Sequence, residues 1–254
     1  MSKERYLMSM TPSQIAAAAS DPNALVLLPT AAIEQHGPHL PVGVDSLLGN
    51  AFLQRILSEL SDDDPLWIAP PIWVGKSNEH DGFPGTLTIS ANSLRNQVLT
   101  TVKQLERWGF RRVAILNSHG GNSPVLRTTV CEIENSMSIK ASILSSYPKT
   151  GLNPREERFG IHAGQYETAL MLAIQPELVD MEKADCHWMD ERFPAGNIAS
   201  ENAPATFAWK TADLSPSGTL GDATKATASE GEQWLSAVVE LLHRQIRSLL
   251  DADS

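Results

Sequence analysis

The sequence predicts an α/β fold, a three-layer α/β/α arrangement with a mostly parallel central sheet, built as a single domain over residues 1–254. Three observations carry that expectation. Short continuous apolar runs alternate with amphipathic helical segments along the whole chain. Successive runs are separated by helix-length connections, as parallel neighbours in one sheet require. With 42% hydrophobic and 20% charged residues over 254 positions, one sizeable core can form.

The elements follow in order. Thr11-Pro12-Ser13-Gln14 opens a helix running to about Ser20, with Thr11 as cap, Pro12 in the first turn and Gln14 at the capping-box position. Leu25 to Leu28 reads as a buried strand stopped by Pro29, and Asp45 to about Leu60 as a helix. Leu66 to Ala69 is the next strand, and Leu94, Val98, Val102 and Leu105 step along one face of the helix after it. Arg112–Asn117 and Lys140–Ser145 read as strands, with Pro124–Met137 as the helix between them. Gln165–Ile174 and the long Thr227–Leu250 segment, with Leu235, Val238, Leu242, Ile246 and Leu249 on one face, complete the helices. The loop-rich stretch from about Asp185 to Asp222 carries Trp188, Phe193, Phe207 and Trp209, too aromatic for a linker, and reads as an ordered cover over a cleft or a neighbouring subunit.

Charge and cysteine usage narrow the function. Twenty Lys+Arg against thirty Asp+Glu give a net charge of −10 and a pI near 5.1, so no basic field attracts nucleic acid or anionic lipid. The two cysteines, Cys131 and Cys186, form neither a disulfide framework nor a thiolate metal motif, which fits a cytoplasmic protein. No signal peptide and no transmembrane span is expected, since the first residues lack an apolar stretch and Ala24–Ile33 is short and interrupted.

The chemistry gathers at expected strand ends. Past the first strand comes Ile33-Glu34-Gln35-His36-Gly37-Pro38-His39, with Asp45 opening the next helix. In extended chain Glu34 and His36 point the same way while Gln35 faces away, and Asp45 can lean back over the same spot. Past the third strand, Asn117-Ser118-His119-Gly120-Gly121-Asn122 brings a second histidine to the neighbouring position, with glycines that allow close backbone approach. His162-Ala163-Gly164 leads into a helix whose first turn holds Glu167. Carboxylates and imidazoles in this mixture suit Zn²⁺ or Mn²⁺, and Glu34, His36, Asp45, His119 and Glu167 are five candidate ligands. Such a set can hold two ions with one carboxylate between them and a coordination position left for water.

Other chemistries are excluded. Gly75-Lys76-Ser77 ends like a phosphate-binding loop, but Pro70 stands where its first glycine belongs. No G-x-S-x-G elbow occurs, and neither cysteine sits in a nucleophile motif.

Glu34-Gln35-His36-Gly37-Pro38-His39, Asp45, Phe83-Pro84-Gly85-Thr86, Asn117 through Asn122 and His162 through Thr168, in this order and spacing, resemble the creatininase (creatinine amidohydrolase) family from about Leu25 to Glu232. The resemblance implies an α/β/α fold, two divalent ions per chain (Zn²⁺ and/or Mn²⁺, with Fe²⁺ or Mg²⁺ as substitutes), hydrolysis of an amide-type C–N bond other than a peptide bond, and a homohexamer. It implies that Glu34, Asp45 and His119 hold one metal and His36 and Asp45 the other. Creatininase carries a further Glu two residues after the histidine matching His119, and Gly121 stands there instead, so Glu167 is the expected replacement, both as ligand and as a catalytic group. By the same resemblance His162 is the acid/base histidine and Ser77 contacts substrate. His80, in Asn78-Glu79-His80-Asp81, is expected to border the pocket. The Trp-Asp pair that holds creatinine is replaced by Arg158-Phe159, and Arg158 is a candidate for a substrate carboxylate or phosphate. The expected substrate is therefore a small-molecule cyclic amide, formamide or carboxamide rather than creatinine. Creatinine itself, a formylamino-pyrimidine, or a non-catalytic metal-binding role are the alternatives.

Overall fold

The structure is a computed structural model describing residues 4–147, 151–189 and 209–251. Four parallel strands form the central sheet: β1 (Leu25–Thr30), β2 (Leu66–Ile68), β3 (Arg112–Asn117) and β4 (Lys140–Leu144), in the order β2-β1-β3-β4. Val26 of β1 pairs with Trp67 on one side and Val113 on the other. Every residue of β1 is buried, as a central strand covered on both faces must be.

Strand alternation divides the core. Leu25 and Leu27, with Leu66, Ile68, Ala114 and Leu116, pack against α2 (Val44–Glu59), α6 (Gln165–Ile174) and the terminal helix Ala228–Asp251. Val26, Leu28, Val113 and Ile115 face the other way, onto α1 (Pro12–Ala19), α3 (Ala91–Trp108) and α4 (Ser123–Ser136). Helices thus cover both faces of the parallel sheet, giving three layers. Thr11 and Gln14 make the expected capping box at α1, and Gly109, in the left-handed region, closes α3 as only glycine does without strain.

Some expectations are corrected. β1 does not stop at Pro29 but runs two residues past Leu28 to Thr30. Leu25 and Leu27 turn their backbone groups towards the β2 side, where Leu25 takes the carbonyl of Pro65 and Ala69 donates to Leu27. Pro29 has the same orientation and lies beyond the end of β2, so its missing N–H costs no ladder bond. A six-residue helix, α5 (Pro154–Phe159), capped by the Asn153 side chain, stands where no element was expected. A two-stranded antiparallel pair, β5 (Cys186–His187) with β6 (Gly221–Asp222), stands in the region read as loop. Phe193 and Phe207, read as part of a cover, lie outside the described residues. Among the described residues no helix is long and apolar enough to cross a membrane.

Chain order reverses at β1: β2 lies to one side and β3 to the other. The crevice beyond the carboxyl ends of β1 and β3 is where a parallel sheet offers a site.

Candidate metal centre

Two strand ends and two helix starts meet at that crevice. Glu34 and His36 follow β1, and His119 follows β3. Asp45 lies in the first turn of α2 and Glu167 in the first turn of α6, where the helix dipoles favour carboxylates. Just before α6, Ala163 has a φ of 52°, the only positive value at a non-glycine residue among the described residues, and its N–H donates to Glu167 Oε2 at 2.6 Å.

The side chains converge. His119 Nδ1 lies 3.3 Å from Glu34 Oε1 and 3.2 Å from Asp45 Oδ2. His36 Nε2 lies 3.6 Å from Asp45 Oδ1 and 3.9 Å from Glu167 Oε2. Asp45 therefore turns one carboxylate oxygen to each imidazole. Glu34, Asp45 and His119 offer ligand atoms within 4.8 Å of one another, and so do His36, Asp45 and Glu167.

These residues fit divalent cations. His36 Nε2 and Asp45 Oδ2 are buried and without a hydrogen-bond partner, which is costly unless each lone pair meets a cation. The other nitrogen of each ring is engaged: His36 Nδ1–H donates to the Glu34 carbonyl at 3.0 Å and His119 Nε2–H to the Lys76 carbonyl at 2.9 Å. Backbone acceptors behind each ring thus leave the inward nitrogens as lone pairs, the usual arrangement around a metal.

Electrostatics agree. Burial opposes charge on His36, but Asp45, Glu167 and Glu34 outweigh it and raise its pKa to about 9. His119 is likewise raised well above its ordinary value, against burial, by Glu34 and Asp45. Glu34 is lowered despite burial by His119, His162 and His36. The carboxylates thus favour positive charge here, as protons on imidazoles or as cations in their place.

Further residues surround this core. His162 lies 3.8 Å from Glu34 Oε1 through Nδ1, while its Nε2–H donates to the Gln35 carbonyl at 2.7 Å. Its ring stacks between His36 and His80, with centroids 4.4 and 4.1 Å away. Burial, and next the neighbouring His162 ring, push His80 down to about 3. Ser77, expected to contact substrate, is fully buried and donates its hydroxyl to Glu34 Oε2. Arg158 is exposed on α5 with its guanidinium 5.1 Å from the Phe159 ring, and it lines no part of the cavity beside the centre. That cavity, of about 610 Å³, is bounded by His119, His162, Glu167, Arg127, Tyr147 and Tyr166.

Two residues of the site were not singled out from sequence. Gln35 faces away from the ligand cluster as expected, yet its buried amide reaches His80 and Gly218. Glu79 brings Oε1 to 3.6 Å from His119 Nε2, across Gly121. Its place beside His80 in Asn78-Glu79-His80-Asp81 was the available signal.

Comparison with known proteins identifies the family. The sequence model of the creatininase family, described as creatinine amidohydrolase, matches residues 8–246. A mycofactocin precursor peptide peptidase of Mycobacterium ulcerans is 35% identical over 223 residues, covering 85% of this chain and 81% of its own. The creatinine amidohydrolase of Pseudomonas putida is 27% identical over 271 residues, covering 97% of this chain and 98% of its own. A solved structure described as Creatininase Mn superposes with a TM-score of 0.78 at 25% identity, covering 98% of this chain and 100% of that one. The chain belongs to the creatininase family of amidohydrolases.

Proposed function

We propose that this family member hydrolyses a carboxamide C–N bond in a substrate considerably larger than creatinine, using two divalent ions per chain, Zn²⁺ and/or Mn²⁺. One observation carries the reading: five side chains able to ligate a cation, with two unpartnered inward atoms, adjoin a cavity of about 610 Å³. A volume of that order is that of a drug-sized ligand site and leaves room for more than a single small ring. A relative named as a peptide peptidase supports the same substrate scale.

Glu34, Asp45 and His119 would hold one ion, and His36, Asp45 and Glu167 the other. Bound there, divalent cations supply Lewis acidity, which lowers the pKa of a water towards ~7 and polarises an amide carbonyl. The chain's own residues do the rest. Ser77 fixes Glu34 by its hydrogen bond to Oε2. His162 donates Nε2–H to the Gln35 carbonyl and keeps a lone pair on Nδ1, which faces the cluster and borders the cavity. That nitrogen accepts the proton of the attacking water and returns it to the departing nitrogen, because an amine leaves poorly unless protonated. Tyr147 and Tyr166, in edge contact at 5.1 Å, form an aromatic wall for the substrate.

The reading extends over residues 1–254 as one hydrolase domain assembled as a homohexamer, as the family resemblance implies. A cytoplasmic location accompanies it, supported by Cys131 and Cys186 being free thiols. Hydrolysis of cyclic amides, formamides and short peptide carboxamides by Zn²⁺- and Mn²⁺-loaded protein tests it. Release of amine and carboxylate from the larger carboxamides is expected. Turnover confined to creatinine, or none with either metal across all classes, overturns it.

A further inference from the structure

Four histidine rings surround Glu34 Oε1: His36, His80, His119 and His162 lie at 4.0, 3.5, 3.3 and 3.8 Å. By spacing alone His80 is a ligand too, since Glu34, Glu79 and His80 bring their ligand atoms as close together as the other groups do. The hydrogen bonds separate them. A neutral imidazole carries one N–H, and the partner of one nitrogen decides what the other presents. His36, His119 and His162 each give their N–H to a backbone carbonyl, of Glu34, Lys76 and Gln35, and turn a lone pair inwards.

His80 is reversed, and Gln35 reverses it. The Gln35 side-chain oxygen accepts the Gly37 N–H at 2.9 Å, so the amide nitrogen lies on the opposite side. That nitrogen has two hydrogens. One reaches the Gly218 carbonyl at 3.2 Å and the other His80 Nδ1 at 2.8 Å. Exchanging the amide oxygen and nitrogen would set two donors against each other at Gly37 and two acceptors at Gly218, so the orientation is fixed by its partners. Thr211, with Oγ1 3.0 Å from the same His80 nitrogen, adds an O–H donor on that side. Nδ1 therefore accepts, and the ring's single hydrogen sits on Nε2, facing Glu34 Oε1 at 3.5 Å.

We propose that His80 is a positioning residue for Glu34, not a metal ligand: its Nε2–H, directed inwards by Gln35, orients Glu34 Oε1 while Ser77 holds Oε2. A carboxylate oxygen has two lone pairs, so Oε1 takes the His80 hydrogen on one and keeps the other for the centre. Donors on both oxygens fix the carboxylate plane, as partners behind a ligand do in metal sites generally. The same contacts fasten the Thr211–Gly218 segment to the centre. The role of Glu34 as a ligand rests on the proposed function; the hydrogen position on His80 does not.

The test uses full-length protein with ¹⁵N-labelled histidine, loaded with diamagnetic Zn²⁺. Nitrogen shifts and long-range proton couplings report which nitrogen of each ring is protonated. His80 is expected to show N–H at Nε2 and a bare Nδ1, the opposite of His119. Gln35→Glu, which replaces the donor with an acceptor, is expected to transfer the hydrogen to Nδ1. His80→Phe is expected to weaken zinc binding and lower kcat by roughly 10- to 100-fold with KM nearly unchanged, while saturating zinc still gives the wild-type ion count. His80→Asn, which retains an N–H donor in a smaller side chain, is expected to restore part of the loss. A bare Nε2 on His80 in the wild type, or an ion missing from His80→Phe or His80→Asn at saturating zinc, overturns the proposal. Wild-type protein that binds no zinc but shows the expected His80 hydrogen would refute the metal reading and leave the tautomer assignment standing.

Discussion

The carboxylate of Glu79 lies across Gly121, occupying the space that a Cβ at residue 121 would need. His119 Nε2 and the Lys76 carbonyl crowd the same point, and these two groups are hydrogen-bonded to each other. Gly121 is thus required by the ring orientation that turns His119 Nδ1 towards Glu34 and Asp45.

From this packing, Gly121→Ala is expected to displace His119 and weaken metal binding by about 10-fold or more, the scale seen when a ligand's outer partner is lost. Gly120→Ala is the control, because a Cβ there meets nothing within 4 Å. It should change stability by no more than about 0.5 kcal/mol and leave metal affinity unchanged. Isothermal titration of both variants with Zn²⁺ checks the pair, and equal effects would show that the crowding at residue 121 does not matter.

Replacing His119 with Ala is expected to lower turnover more than about 100-fold while unfolding stays cooperative, since the residue lies at a strand-end loop and not in either apolar cluster. Thermal unfolding beside chelator-treated wild type makes the distinction. Loss of the cooperative transition in the variant alone would make His119 structural.

Creatinine is expected to be a poor substrate, with kcat/KM below ~10⁴ M⁻¹s⁻¹, the lower end of the usual enzyme range. Arg158 stands exposed and turned to Phe159, so the Trp-Asp contact that holds creatinine in the family has no counterpart there. Missing partners for buried polar groups discriminate strongly between substrates. Steady-state kinetics with metal-loaded protein reaching that value or above would show that another part of the cavity recognises creatinine.

Far from the centre, Asp64 joins the β2 approach to the terminal helix by a bidentate pair with Arg247, at 2.5 and 2.7 Å. The Arg247 hydrogen bonds lower the Asp64 pKa below its ordinary value. Its contribution is therefore present at neutral pH, above the unfolded-state value near ~4, and fades as acid protonates the folded carboxylate. Asp64→Asn is expected to cost about 1 kcal/mol at pH 7, allowing for solvent screening of a partly exposed pair, with a shrinking difference as pH falls below about 4. Urea titrations across that range check the sign. A difference that grows in acid would contradict it.

Much of the fold was legible because its signals are local. The capping box at Thr11 and Gln14, the apolar stripe of α3 and the buried runs of β1 and β3 each state their own structure. Pro29 misled because its tolerance depends on where β2 ends, which is a property of the sheet. Glu34, His36, Asp45, His119 and Glu167 were nameable together because i, i+2 spacing and strand-end placement follow from topology. That Ser77 donates its hydroxyl to Glu34 and that Arg158 lies exposed beside Phe159 are placements that spacing along the chain does not state. The reach of Gln35 to His80 and of Glu79 over Gly121 joins residues 45 and 42 positions apart, and only the folded chain brings them together.

Two ions are expected to bind, one through Glu34, Asp45 and His119 and the other through His36, Asp45 and Glu167. Elemental analysis of metal per chain, after equilibration at fixed free Zn²⁺ or Mn²⁺, tests it most directly when wild type is compared with Glu167→Gln. The amide keeps an oxygen for the Ala163 N–H, so the start of α6 is retained while the carboxylate charge is removed. Two ions per chain in the wild type and one in Glu167→Gln is the expected result. One ion in the saturated wild type, or two retained by Glu167→Gln, would contradict it.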